Sequence, residues 1–369
     1  MADFETIFVN VGQGDSTLIR LPDDEYMLVD VCRRQGEGID LFKLLDDRLP
    51  KGEDGRLRLK YLVITHAHDD HICGIGDLYD RYEVEWLWLP QHEERKKIAK
   101  HFGDYQRVVD EHPDEKIKRP QGSRTPLEES DADYDLGEDI SIRCFSPPGY
   151  IEIDETLTEE EAKAKVHENC LVLRITYEGG ASVMLTGDSD LACWQRIVGY
   201  YRDQGDEETG TEVLSADVLS GSHHGSRTFY KPGDEDTEPW LEGLETIAPD
   251  LVVVSVGADN DHGHPHADMM DAYRDQCGTE NVHETAQSGT VLIEVDSGGD
   301  YVLALDPGNY AEDYAWDEEE GDDDDDRGAT AKEALAGAAV IGGAALVGAG
   351  VKRHRDRRSR TRLDNQPAA

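Results

Sequence analysis

Short apolar runs, rich in Val, Ile and Leu, punctuate the chain from its start to about residue 306, separated by polar and turn-forming stretches. The segments 4–11 (FETIFVNV), 16–21, 26–31 (YMLVDV), 59–65 (LKYLVIT), 84–90, 140–147, 170–177, 182–188, 216–222, 250–257, 290–296 and 301–306 read as strands. Stretches with helical spacing predict helices at 39–48, 92–111, 189–203 and 266–276. Strand-rich halves with interspersed helices favour an α/β sandwich over a barrel of strict β-α repeats, and no repeat of fixed period is present.

The pattern changes twice after about residue 310. WDEEEGDDDDDRG, residues 316–328, reads as a self-repelling acidic linker, and ALAGAAVIGGAALVGAGV, residues 334–351, is uncharged and ends at a basic cluster. The division expected is a folded unit over 1–310, a linker over 311–331 and an Ala/Gly-rich tail over 332–369. The uncharged stretch sits at the lower edge for a helical membrane span, and its glycines suit close helix packing. Membrane association through 334–351 is therefore expected, against the blander reading of a low-complexity tail. A weakly inserting tail, its basic end held by anionic lipid, would reconcile the charge pattern with a cytoplasmic domain.

Composition narrows the class further. With 369 residues and 37% hydrophobic content the chain can bury a substantial core. Its 81 acidic against 37 basic residues give a net charge of -44. Such a surface stays soluble in molar salt, where charges are screened, which suggests a halophilic protein; at ordinary salt it repels nucleic acid. Six scattered cysteines, without a C-x-x-C pair, and an N-terminus without a secretory pattern point to free thiols in a reducing, cytoplasmic setting.

The densest chemistry is THAHDDH, residues 65–71, directly after an apolar run. His66 and His68 can converge on one ion, while Asp70 and His71 turn to a second position; neutral imidazole and carboxylate suit zinc or manganese. LTGDSD, 185–190, supplies Asp188 at another strand exit, where a carboxylate could bridge two ions. SGSHHGS offers His223 and His224, and HGHPH offers His262, His264 and His266, of which His264 precedes a proline and is held extended. Strand-end positions repeated in this way imply one rim assembled from distant segments.

These motifs, with VNVGQGDS (9–16), NCLVLRI (169–175), LTGD (185–188) and GHPH (263–266), resemble the metallo-β-lactamase superfamily with its H-x-H-x-D-H signature. In order and detail they resemble the hydrolase-like domain of the DNA-uptake protein ComEC and its stand-alone relatives, over about residues 4–306. The resemblance implies a four-layer αββα sandwich. It assigns His66 and His68 to a first metal, Asp70, His71 and His264 to a second, and Asp188 to both. Asp30 would orient the histidines, Asp15 would lie near the site, and Asn169 would occupy the place of a further histidine, although His167 is close by. The first ion would then rest on water, Asn169 or His223, or be absent.

The expected activity is metal-dependent hydrolysis with two Zn2+ or Mn2+ ions, through hydroxide generated from an acidified water. The substrate implied is a phosphodiester, DNA included, with Asp70, His223 and His224 as the catalytic set. The alternatives are hydrolysis of a small ester, thioester or lactam, and a sensor or membrane-associated partner module built on a metal-site fold.

Overall fold

Leu251 and Val253 enter one core while Val252 and Val254, on the same strand, enter another. That period-two alternation is repeated on Phe4–Phe8, where Phe4 and Phe8 face one core and Ile7 a third, and it marks sheets buried on both faces. The computed structural model describes residues 4–52, 55–94, 99–177, 180–202, 211–232, 237–258, 260–296, 299–317 and 351–352.

Two sheets carry the architecture. The larger runs in the order 351–352, 301–305, 291–295, 4–8, 17–20, 26–29, 58–63, 83–88 and 117–118; the smaller runs 282–284, 251–254, 218–220, 182–185, 172–177 and 140–146. Each changes from antiparallel to parallel pairing along its width. Tyr26–Val29, Arg58–Val63 and Glu83–Trp88 are parallel in the larger sheet, as are Ser182–Leu185, Val218–Ser220, Leu251–Val254 and Val282–Glu284 in the smaller.

The central core packs the inner faces of the two sheets together, with Phe4, Phe8, Met27, Val63 and Trp88 on one side and Ile142, Leu173, Ile175, Val183 and Val253 on the other. Helices Leu41–Arg48, Ile75–Arg81 and Phe102–Glu111 cover the outer face of the larger sheet through Leu44, Leu45, Leu78 and Val108. Helices Leu191–Arg202, Glu242–Ile247 and Ala267–Cys277 cover the smaller through Trp194, Ile197, Ile247, Met269 and Tyr273. The result is a four-layer sandwich, helix on sheet on sheet on helix.

Local chemistry sets several helix ends. Asp40 accepts from Phe42 N at the start of Leu41–Arg48, and Thr158 with Glu161 forms a reciprocal cap on Glu159–Glu168. Helices Ile75–Arg81 and Glu242–Ile247 lie outside the four expected, and further readings of the pattern change. The expected helix 92–111 divides into a strand His92–Glu94, paired with Ile151–Ile153, and a helix Phe102–Glu111. Helix Glu159–Glu168 was not expected, because it buries only Ala162 and Val166 and so writes almost no apolar stripe.

The folded unit also runs past residue 310. Tyr310–Asp313 is helical, Asp40 N donates to Tyr314 O, Trp316 Nε1 donates to Glu37 O, and the Arg33 guanidinium stacks on the Trp316 ring at 4.7 Å. Residues 311–317 thus belong to the sandwich rather than to a linker. The acidic stretch beyond Asp317 and the uncharged stretch 334–350 lie outside the described residues. Val351–Lys352 pairs antiparallel with Tyr301–Val302, and among the described residues no helix is long and apolar enough to cross a membrane. All six cysteines are free thiols.

Candidate metal centre

Parallel strands place their carboxyl ends on one side of a sheet, and here the parallel parts of both sheets end at the same rim. Asp30 follows Tyr26–Val29, His66 follows Arg58–Val63, Asp188 follows Ser182–Leu185, and His223 and His224 follow Val218–Ser220. A backbone bond from Leu171 N to Thr65 O, 3.0 Å, ties the sheets together beside these ends. Gly187 makes the approach possible: its φ is +49° and a Cβ there would stand 2.8 Å from Thr65 Oγ1. Without a side chain, the turn brings Asp188 across the gap between sheets. Gly14 serves the VGQGD loop in the same way, since a Cβ would meet Asp70 O at 2.6 Å.

His66 Nε2 lies 3.1 Å from His68 Nδ1, which lies 3.0 Å from His167 Nε2. Asp188 Oδ2 closes the group at 3.5 Å from His66 and 3.6 Å from His167. Ligands arranged tetrahedrally around an ion at about 2.0 Å stand about 3.3 Å apart, so these spacings suit one ion. Burial lowers the pKa of His66 to about 3 and takes His68 and His167 well below the usual imidazole value. Each therefore keeps a neutral ring with a lone pair to offer.

A second group adjoins it. His71 Nε2 is 3.1 Å from Asp188 Oδ1, and His224 Nε2 is 3.6 Å from that oxygen and 3.2 Å from Asp70 Oδ2. Nδ1 of His71 donates to Asp30 Oδ2 at 2.7 Å, and Nδ1 of His224 donates to Ser255 O at 2.8 Å. Both rings are thereby fixed with Nε2 facing inward. His71 Nε2, His224 Nε2 and Asp188 Oδ1 are buried without a hydrogen bond, a costly state that a cation would relieve. Asp15 also belongs to a cluster with His71, Asp188 and His224. Its carboxylate, however, stands 3.9 and 4.0 Å from the two Nδ1 atoms, behind the rings, so Asp70 is the better partner for the inward nitrogens.

Asp188 thus gives one oxygen to each group, and the residues fit two divalent ions sharing a carboxylate. Burial disfavours charge on every member. For His71, Asp188 and Asp30 outweigh burial and hold the pKa well above its usual value; for His224, Asp188, Asp15 and Asp70 raise it to about 9. Asp188, against burial, is held well below the carboxylate range by His223, His71 and His224.

Asp30 is the keystone behind the rim. It is buried, and it accepts from Thr65 N, Thr65 Oγ1 and His71 Nδ1, each at 2.7 Å. One carboxylate therefore orients residues on both sides of the HAHDDH turn. Asp69, the remaining acid of that turn, stays outside both groups on the cleft wall and accepts from Lys100 N and His101 N at 2.9 Å.

Three assignments change with the geometry. His264, expected among the ligands, stays outside both groups: its ring is 6.4 Å from that of His224 and 5.2 Å from that of His223, and Asn260 holds its backbone at both N and O. His224 takes the inward place instead, because Ser255 O fixes its ring. Asn169 donates to Lys165 O at the end of Glu159–Glu168 and does not enter the cluster, whereas His167 in the last turn of that helix does. His223 stays at the edge, with Nδ1 2.9 Å from Thr228 Oγ1 and Nε2 3.5 Å from Asp188 Oδ2. The two groups open into a cleft of about 560 Å³ lined by Arg34, Lys163, His223, His262, His264 and His266 besides the ligands.

Comparison with known proteins agrees with this layout. Residues 9–161 match the family model of the metallo-beta-lactamase superfamily, and that segment holds Asp15, Asp30 and the whole HAHDDH turn. The chain has the metallo-β-lactamase fold. Solved structures similar to it include the metallo-beta-lactamase fold protein YhfI from Bacillus subtilis, at 14% identity over 76% of this chain and 96% of that one, TM-score 0.40. Isothiocyanate hydrolase from Delia radicum gut bacteria is 10% identical over 78% and 98%, TM-score 0.40. Zn2+-bound PqqB from Methylobacterium extorquens is 14% identical over 74% and 85%, TM-score 0.38. No match is found among curated proteins. The matched segment and the two His/Asp clusters together fit a metal-binding site.

Proposed function

We propose that this protein hydrolyses phosphodiesters with the help of two divalent ions. The observation that carries the reading is Asp188, whose two oxygens face two imidazole-rich groups at the floor of one open cleft. When bound, a pair of divalent ions supplies Lewis acidity toward both the attacking and the leaving oxygen and acidifies a water. His66, His68, His167 and Asp188 would hold one ion; Asp70, His71, His224 and Asp188 would hold the other. Asp30 and Ser255 keep the inward nitrogens aimed. His223, its pKa lowered chiefly by burial, keeps a neutral ring at the cleft edge, where Nε2–H can donate a hydrogen bond to a departing oxygen while Thr228 steadies Nδ1.

The net charge of -44 sets the conditions: approach of DNA improves as salt screens the surface, while a small phosphodiester depends less on it. Purified protein loaded with manganese or zinc, in high salt, is expected to cleave a chromogenic phosphodiester, and DNA is assayed alongside. Equal cleavage by a His68→Ala, Asp70→Ala double variant would refute the reading. Turnover of neutral esters or lactams alone would move the assignment to small-substrate hydrolysis.

A further inference from the structure

Two fixed cations, Arg34 and Lys163, line the cleft beside its histidines and the carboxylates Asp69, Asp70 and Asp188, in a chain with 81 acidic against 37 basic residues. Arg34 is the more constrained of the two. It follows Cys32 and Arg33 on the segment leaving Tyr26–Val29, and that segment runs beside the HAHDDH turn: Val31 N donates to His71 O at 2.9 Å and Arg33 N to Cys73 O at 2.7 Å. Nη1 of Arg34 donates to Gln13 O at 2.8 Å. Gln13 is itself buried and pinned, its N donating to Glu37 Oε2 and its Oε1 accepting from Gly257 N.

Among the described residues no carboxylate forms an ion pair with Arg34, although Asp70 and Glu37 act on it through space. One contact to a carbonyl leaves most of the donors of the guanidinium fork unspent. Arg20, Arg33, Arg58, Arg81 and Arg107 each hold a carboxylate, whereas Arg34, like Arg119 and Arg143, contacts a carbonyl, and of these three Arg34 lines the cleft. Asp70, which acts on it through space, belongs to the second metal group. On the other flank Lys163 stands one helical turn before His167, a ligand of the first group, and is shared with Glu159 at the surface.

We infer that Arg34 is a positioning and specificity residue: its guanidinium receives a non-bridging phosphoryl oxygen of the substrate, orients the phosphorus over the shared carboxylate, and discriminates in favour of anionic substrates. A planar fork held at one arm by a rigid carbonyl is suited to an oxygen pair on phosphorus, with little ordering left to do on binding. Lys163, already paired and exposed, contributes less. The inference rests on the hydrolase reading above for its turnover arm, and has a binding arm that does not.

The test uses the full chain, metal-loaded, with Arg34→Gln and Arg34→Lys. Metal content by mass spectrometry and the melting temperature come first, to show that the variants are folded and loaded. Inorganic phosphate is then titrated calorimetrically: Arg34→Gln is expected to weaken it about tenfold to a hundredfold, and Arg34→Lys to recover part of the loss. In turnover, Arg34→Gln should lower kcat/KM for a phosphodiester at least about tenfold more than for a neutral nitrophenyl ester, chiefly in KM. Phosphate affinity equal to wild type in the loaded Arg34→Gln protein overturns the inference. Absence of phosphodiester turnover by the wild type instead overturns the proposed function, and leaves the phosphate titration to judge Arg34.

Discussion

Replacing Asp30 by Asn tests the wiring of the site with the loss of a single oxygen. The carboxylate accepts three hydrogen bonds at 2.7 Å, from Thr65 N, Thr65 Oγ1 and His71 Nδ1. An asparagine of the same shape can keep the acceptor toward Thr65 N, and its NH2 can donate to Thr65 Oγ1. Toward His71 it fails, because NH2 and Nδ1–H are both donors. The imidazole must then carry its proton on Nε2 and accept at Nδ1, which removes the inward lone pair that faces Asp188 Oδ1.

The expected cost follows from that one exchange. Changing a partner behind a metal-ligating histidine lowers metal affinity about tenfold to a hundredfold, or about 1.4–2.7 kcal/mol. The first group, whose histidines do not touch Asp30, should weaken less. The assay is competition against a chelator of known affinity, read by metal content, with the melting temperature followed with and without metal. The weaker site should empty first, and the metal-dependent rise in melting temperature should shrink by mass action. An Asn variant that binds both ions as tightly as wild type would refute the claim that Asp30 sets the tautomer of His71.

Other outcomes follow from the same geometry. His167→Ala should reduce the metal bound per chain by one ion, whereas His264→Ala should leave the stoichiometry as it is; the reverse result would restore His264 to the ligand set. Gly187→Ala forces a Cβ to 2.8 Å from Thr65 Oγ1 at a φ of +49°, and should cost about 1–3 kcal/mol by chemical denaturation together with metal loss. The pH dependence has a fixed sign: an ion binds His224 only without its proton, so second-site affinity should rise with pH up to about 9. For the metal-free protein the sign is opposite, since a pKa raised from its ordinary value near 6.5 to about 9 gives stability that is complete below the former and lost as pH passes the latter. Proton release on metal addition at pH 7, measured calorimetrically in buffers of different ionisation enthalpy, checks both. Truncation after residue 309, which removes the buried Tyr310 and the Trp316 that covers Arg33, should destabilise by about 3 kcal/mol or more relative to truncation after residue 317.

The strands and the HAHDDH turn were legible because each writes its information locally. A strand buried on both faces is a run of apolar residues, and four ligands within six positions need no long-range partner to be recognised. Asp188 was legible for the same reason, as a carboxylate at a strand exit. The other ligands were not, because their selection is a tertiary event. His167 reaches the cluster from the last turn of a helix with two buried side chains, so the chain carries little sign that a helix presents it, and Asn169 two residues later looked as well placed.

The choice between His224 and His264 shows the same limit more sharply. Both follow apolar strands and both sit among histidines, but only His224 has a buried carbonyl, Ser255 O, waiting at the distance that locks Nδ1. That carbonyl directly follows the next parallel strand, Leu251–Val254, and which strand is next is decided by sheet order, which no spacing along the chain encodes. The C-terminal boundary is the third case: an acidic composition hides Tyr310, Tyr314 and Trp316, whose rings close over Arg48, Asp47 and Arg33. In each case the deciding contact joins residues that are remote in sequence. Charge behaves alike, since a net value of -44 says nothing of where the few cations gather, and Arg34 comes to the cleft because the segment behind it is laced to the HAHDDH turn by backbone bonds.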